Sequence, residues 1–545
     1  MTLRRHAAIL VGALLVVVTP MLVGEAPPLP TFTDIAKQAG IDFVHSFGDN
    51  ELSSIVESTG AGCGLFDYDN DGDLDAYLLC GCYLKGLSDP RSRHLAGKLK
   101  SRLYRNNGDG TFTDVTDEAD VGHEGFAMAC VAADYDNDGD LDLLVTNYGS
   151  NLFYRNNGDG TFTDITAQAG LDSDLWGIGS TFFDYNNDGY VDLYVGHYLE
   201  YDPNYRFFYA PDHFPGPLSY KGQPDTLYRN NGDGTFTDVT KAAGVYNPEG
   251  RAMGVTSADY DNDGDMDIVV ANDAMVNFMY RNNGDGTFTD VALEMGTAFG
   301  QSGEATSAMG PAVGDLDRDG FFDIMIPDMQ YGCLYHNHQG EYFEEKAAPS
   351  GIASVLGQYV SWGGDLFDYD NDGWLDVFIT NGDAHKMEPQ EDCLFRNEGG
   401  LRFRDVSVRS GEYFKRKYVG RGAAFGDVDN DGDIDILILN LNGPAVLLRN
   451  DGGNRSHWLL VKTVGTKSNR DGIGTRLCAT VGDLKQIGEV RSGSGYLAMN
   501  DLRVHFGLGS HEQVERLDVR WPSGITQVLE NVKADQILTL VEPER

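Results

Sequence analysis

Asp134-Tyr-Asp136-Asn-Asp138-Gly139-Asp140-Leu-Asp142 places carboxylates at positions 1, 3, 5 and 9 of a nine-residue stretch, with glycine at position 6. That spacing lets one tight loop turn its oxygens inward around a single hard cation, and oxygen-only ligation suits calcium. The stretch occurs seven times. Besides the copy just quoted, the ligand positions are Asp67, Asp69, Asp71 and Asp75; Asp184, Asn186, Asp188 and Asp192; Asp259, Asp261, Asp263 and Asp267. The remaining sets are Asp315, Asp317, Asp319 and Asp323; Asp368, Asp370, Asp372 and Asp376; Asp427, Asp429, Asp431 and Asp435.

Comparing the copies separates ligands from bystanders. Position 9 is always aspartate, and position 6 is always glycine, as a sharp turn with positive φ requires. Position 7 is Asp73, Asp140, Tyr190, Asp265, Phe321, Trp374 or Asp433. A position that accepts Phe and Trp needs no ligating side chain, so the contact expected there is the backbone carbonyl. Position 3 of the third copy is Asn186, which keeps an oxygen and loses a charge. Plain acidic surface turns are the competing explanation, and they give no reason for this position-by-position pattern.

The elements that must hold these loops read as β-hairpins. In the second copy 125–133 runs into the loop and 141–147 leaves it; 151–155 and 161–165 are two more strands around an Asn-Gly-Asp-Gly turn. Four strands per unit in seven units is the arithmetic of a β-propeller. The third strand recurs as Leu103-Tyr-Arg-Asn, Leu152-Phe-Tyr-Arg, Leu334-Tyr-His-Asn and four relatives, ending at Leu447-Leu-Arg-Asn. After Asp451 the fourth strand is missing, and its match lies at the other end of the chain, Thr31-Phe-Thr-Asp-Ile35. The expected fold is therefore all-β: a seven-bladed propeller over 30–452, closed by its N-terminal strand, with a small β domain at 453–545. Gly62, Gly179, Gly254, Gly310, Gly363 and Gly422, with Ala129, lie five residues before the loops, where innermost strands would crowd a channel.

Composition bounds the function. A net charge of −43 excludes a nucleic-acid partner, whose phosphates it would repel. Seven cysteines in 545 residues make no disulfide scaffold, and the odd number leaves at least one thiol free or paired between chains. Cys80 and Cys82 are expected on one face of one strand. Residues 1–26, with Arg4 and Arg5 before an apolar run, read as an export signal, or as an uncleaved anchor that would be the only membrane contact. Three insertions interrupt the repeat and read as solvated loops: basic 84–100, aromatic 198–223, and 383–392.

The acidic loops and their hairpins resemble FG-GAP/VCBS repeats, found also in integrin α-subunit heads. The tail, with Ser468-Asn-Arg-Asp-Gly-Ile-Gly474 and Trp521-Pro-Ser-Gly524, resembles an ASPIC/UnbV domain. Together they are similar to the cartilage-acidic-protein-like family. The resemblance implies calcium ligation through positions 1, 3, 5 and 9 and the carbonyl of 7, about seven ions in all, in an extracellular protein. It implies no defined activity.

The leading expectation is an exported calcium-dependent protein that binds a protein or glycan. The rival is an enzyme acting on glycans at the channel mouth, drawing on His45, Glu57, His197, His385 or Arg421; no nucleophile–base pair stands out among them, so no catalytic residue is assigned. A lectin would display Trp176, Trp362 or Tyr198.

Overall fold

The computed structural model describes residues 29–205 and 214–544. The export segment read at 1–26 lies outside them. Among the described residues no helix is long and apolar enough to cross a membrane.

The chain is all-β, and each acidic loop belongs to one sheet built on four antiparallel strands, with a fifth strand added in units one and four. In unit two the strands are Phe126–Ala133, Asp142–Tyr148, Leu152–Asn156 and Phe162–Asp164, within a residue or two of the sequence reading. The loop joins the first strand to the second, and the position-9 aspartate is the first residue of that second strand in every unit. Both faces of the first two strands are buried, which is why these segments read as continuous apolar runs and not as alternation. A short helical turn such as Thr116–Ala119 follows the outer strand in several units, an element the sequence pattern did not reveal.

The N-terminal strand Thr31–Asp34 joins the sheet of unit seven, Gly420–Gly426, Asp435–Asn440 and Val446–Asp451. Phe32 faces Asn450 across the ladder, and the Ile35 amide donates to the Leu447 carbonyl at 2.8 Å. First strands of successive units pack against one another, and that of unit seven packs against Cys63–Phe66 of unit one. The glycines five residues before the loops are explained by this approach: a Cβ on Gly422 would stand 2.8 Å from the Ala61 carbonyl oxygen, and one on Gly179 would stand 2.9 Å from the Gly254 Cα.

After residue 456 the chain builds two further sheets, one from His457–Val464, Val504–Gly509 and Gln536–Val541, the other from Arg476–Val481, Leu484–Glu489, Gln513–Arg520 and Thr526–Lys533. The strand Leu484–Glu489 ends there, and the chain turns away into the repeat units. Residues 491–501 then touch the first strands of all the repeat units. Ser492 Oγ donates to the Ala132 carbonyl, Thr256 Oγ1 to Gly493, the Gly495 amide to Pro311, and Ala498 pairs with Cys63. Ser492 also bridges to Phe182, Asn500 Nδ2 donates to Asp365, and Asn500 Oδ1 accepts from the Phe425 amide. Tyr496 is fully buried and reaches the Thr59 carbonyl at 2.6 Å. A Cβ on Gly310 would meet the Gly495 carbonyl carbon at 1.9 Å, so this glycine is demanded by the inserted segment.

Two expectations are corrected, the shared strand of Cys80 and Cys82 and the solvated insertions. Cys80 and Cys82 do not share a strand, because it ends at Leu78. All seven cysteines are free. The insertions are not simply solvated loops: Ser92 hydrogen-bonds buried Asp49, Tyr198, Phe214 and Tyr220 join the core, and buried Asp392 accepts from Tyr413.

Candidate metal centres

Each loop is shaped by its own aspartates before any ion is considered. In unit two the amides of Asp138 and Gly139 donate to the two oxygens of Asp134, at 3.0 and 2.7 Å, and the Asp140 amide donates to Asp138. Glycine at position 6 has positive φ in every copy, from 85° to 106°. Position 9 is anchored from both sides: Asp142 accepts from the amides of Tyr135 and Asn156, and the same bracket recurs at Asp75, Asp192, Asp267, Asp376 and Asp435. Asp323 is held likewise by Leu316 and Asn337.

These contacts leave oxygens over. Oδ1 of Asp67, Asp69, Asp136, Asp259, Asp370 and Asp433 is buried and has no hydrogen-bond partner. Carboxylate oxygens from Asp67, Asp69 and Asp71, from Asp134, Asp136 and Asp142, and from Asp259, Asp261 and Asp263 lie within 4.8 Å of one another. Burial raises the carboxyl pKa at these positions, with neighbouring carboxylates adding to it: Asp75 is pushed up to about 8, Asp134 and Asp427 to about 7, and Asp184 and Asp370 to about 6. Buried, mutually repelling carboxylates with unpartnered oxygens are costly unless a cation or a proton joins them. The residues present therefore fit a hard divalent ion. Position 7 contributes no uniform side chain: Tyr190 lies beside Gly232, and Arg318 stacks over Trp374 at 3.5 Å, consistent with a backbone role there.

Position 4, which the sequence reading passed over, links the loops. It is Asn in six copies and Arg318 in the fifth, and it has positive φ in all seven. Its side chain reaches the next loop each time. Asn137 Nδ2 donates to the Gly189 carbonyl at 3.0 Å, Asn262 to Gly320, Arg318 to Gly373, Asn371 to Gly432, and Asn430 back to Gly72 at 3.3 Å. Asn70 reaches Gly139 and Asn187 reaches Asp265. The signal was present: asparagine tolerates the left-handed region better than other non-glycine residues.

The C-terminal sheets sit over this loop end and turn basic groups toward it. Arg520 pairs with Asp259, Lys462 with Asp67 at 3.5 Å, and Arg503 donates to the Asp427 carbonyl at 3.0 Å. Arg476 donates to Asn262 at 2.6 Å and to the Gly320 carbonyl.

The opposite end, where first strands begin, gathers the rival candidates. Arg421 is fully buried, stacks 3.7 Å over Trp362, and donates only to the carbonyls of Ser58, Gly420 and Asp383; burial pushes it down to about 9. His45 and His197 are buried, each with an unpartnered Nε2, and burial holds both well below the usual range. Glu57, pushed up to about 7 by burial, accepts from Ser53 and Ser54 through Oε2, while Oε1 has no partner. His385 stacks on Phe214. Trp176, Trp362 and Tyr198, expected to meet sugar rings in a lectin, are instead 1–2% exposed and serve packing.

An FG-GAP-like repeat model matches residues 67–145, 134–195, 218–270, 259–326 and 368–438, and an ASPIC and UnbV model matches 465–545. The chain belongs to the FG-GAP repeat family and carries the ASPIC/UnbV segment at its end. Among curated proteins it is similar to cartilage acidic protein 1 of Homo sapiens (27% identical, covering 58% of this chain and 48% of the relative) and of Mus musculus (25%, 59% and 42%). The chain thus spans less than half the length of these relatives. Solved structures that superpose on it include an Agrocybe aegerita lectin described by its specific recognition of non-reducing terminal N-acetylglucosamine (TM-score 0.39, 17% identity, 65% of this chain and 88% of that one). YCF48 bound to D1 peptide gives a TM-score of 0.39 at 10% identity, over 75% of this chain and 98% of that one.

Proposed function

We propose that this protein is an exported, calcium-binding β-propeller of seven blades, closed by its N-terminal strand and capped at 453–545 by the ASPIC/UnbV domain, that binds a protein or glycan and has no catalytic role. The observation that carries the calcium reading is the recurrence of buried, unpartnered carboxylate oxygens at the ligand positions. One ion per blade, about seven in all, is bound by positions 1, 3, 5 and 9 and the carbonyl of position 7. The position-4 clasps support closure, because they run from each loop to the next and return from Asn430 to Gly72.

Threading of residues 491–501 past the first strands supports binding over catalysis. It lies against the first strands of all the units, and the C-terminal sheets contact the loop end. The end left to a partner carries the insertions 84–100 and 383–392 and the described residues of 198–223. Export agrees with loops suited to ~10⁻⁴–10⁻³ M calcium. One observation favours a glycan-acting enzyme as a second reading: Glu57, a buried carboxyl near neutral pKa with one free oxygen, has the character of a general acid.

The deciding experiment is capture of ligand on immobilised protein, using a glycan array and envelope extract, with calcium and with chelator. Capture that requires calcium supports the proposal, and equal capture without it overturns it. Turnover of any arrayed glycan by the wild type that Glu57→Gln abolishes would favour the second reading.

A further inference from the structure

The third strand of each unit sends one side chain toward the acidic loop of the same unit. By ladder register that residue is Arg105, Arg155, Arg229, Arg281, Arg396 and Arg449 in six units. Arg396 shows what it does there: its guanidinium pairs with Asp370 at 2.7 Å and Asp372 at 2.6 Å, positions 3 and 5 of the loop. An arginine is a fixed counter-charge with no lone pair to offer a metal. In unit five the same register position is His336. Its Nδ1 lies 2.9 Å from Asp323 and its Nε2 3.7 Å from Asp317, positions 9 and 3.

The His336 ring and these two carboxylates bring ligand atoms within 4.8 Å of one another. The ring can offer an ion only one of its two nitrogens; two ligands held ~2.1 Å from a tetrahedral ion stand about 3.4 Å apart, close to the 3.7 Å between Nε2 and Asp317. Asp323 is 1% exposed and His336 only 12%. The side of the imidazole is covered by His338, with ring centroids 4.5 Å apart, and His338 is itself stacked on Tyr342. Among the described residues none of loop five's aspartates carries a buried unpartnered oxygen, which is equally true of loop three; what sets loop five apart is the imidazole hydrogen-bonded to Asp323.

Calcium takes oxygen ligands, whereas imidazole nitrogen suits borderline ions of the zinc class. We propose that the fifth loop is a mixed nitrogen–oxygen site selective for a zinc-class divalent ion, with His336, Asp317 and Asp323 as ligands, in a chain whose other loops take calcium. Asp317 and Asp323 belong to both ligand sets, so the two ions compete for the one loop. The inference rests on the reading of the loops as metal sites, and the test separates the two.

The full chain is dialysed against excess calcium with trace zinc, and both metals are counted by elemental analysis, for the wild type and for His336→Arg, which restores the residue of the other six units. The expected result is roughly one zinc per wild-type chain, none in His336→Arg, and no loss of calcium in the variant. Cobalt(II) in place of zinc should give a visible d–d band in the wild type that the variant lacks. A wild type that holds no zinc, or a variant that holds as much, overturns the proposal while a normal calcium count leaves the loop reading intact. Loss of calcium binding in both proteins would sink the loop reading instead. A thermal melt of His336→Arg in calcium guards against misfolding, and His336→Asn, which cannot supply the same nitrogen, must lose zinc as well.

Discussion

The two ends of the repeat assembly are built by opposite means. At the loop end a single nine-residue design is used seven times, its carboxylates are left short of partners, and neighbouring loops are clasped through position 4. At the opposite end every feature occurs once: the capped turn Ile55–Thr59, the insertions, and a fully buried arginine satisfied by carbonyls alone. The loop end gathers buried, mutually repelling carboxylates, a cost that the proposed ions would relieve. At the opposite end burial holds His45 and His197 uncharged, and no cluster of mutually repelling carboxylates is gathered there among the groups just named. Stability should therefore depend on calcium and pH at one end and on packing at the other.

Chelation should give the largest effect. Each loop filled at a hundredfold its Kd contributes about 2.7 kcal/mol, so removing calcium should lower the melting temperature by tens of degrees. Hydrogen exchange should show the loop end opening first; equal loss of protection around Arg421 would break the comparison.

The pH response should reverse sign with the ion. Asp75 and Asp134 have folded-state values near 8 and 7, above those of the unfolded chain. The folded apo protein thus holds more protons, and its stability falls as pH rises through the range from about 4 to 8. Calcium requires the ionised form, so the calcium-bound protein should gain stability over the same range. Parallel melts at pH 5 and pH 8 check this, and curves of the same sign would refute it.

Tyr496→Ala removes the side chain that carries the C-terminal domain through to the opposite end. Loss of a fully buried aromatic should cost about 3–5 kcal/mol, read by chemical denaturation, with the calcium count unchanged. Asp134→Ala should cost less, about 2–3 kcal/mol in calcium, and should remove one ion from the stoichiometry. The smallest effect belongs to the clasp: Asn371→Ala, which frees the Gly432 carbonyl, should cost about 1 kcal/mol. A larger loss there would mean that the loops open together and not one by one.

The repeat was legible because each unit answers to local rules. Glycine at position 6 must take positive φ, the strands must be apolar, and the missing outer strand of unit seven has its match at Thr31–Asp34. The loop geometry around the candidate ligands was legible for the same reason, since it depends on nine consecutive residues. His336 was visible only as an odd letter in a repeated word. Its meaning came from the ladder that points it at Asp317 and Asp323. The lectin residues were misjudged because aromatic composition does not say which side of a strand faces solvent, and Trp176 and Trp362 turned inward.

The sequence by itself determined the all-β repeat, the ligand spacing and the acidic charge, because each is fixed by residues close along the chain. Tertiary structure alone decided that residues 491–501 thread past every first strand, that basic groups of the C-terminal sheets meet the acidic loops, and that Gly310 faces Gly495. Those contacts join residues 75 or more positions apart, and no local propensity records which distant surface a glycine-rich segment such as Ser492-Gly-Ser-Gly495 will fill.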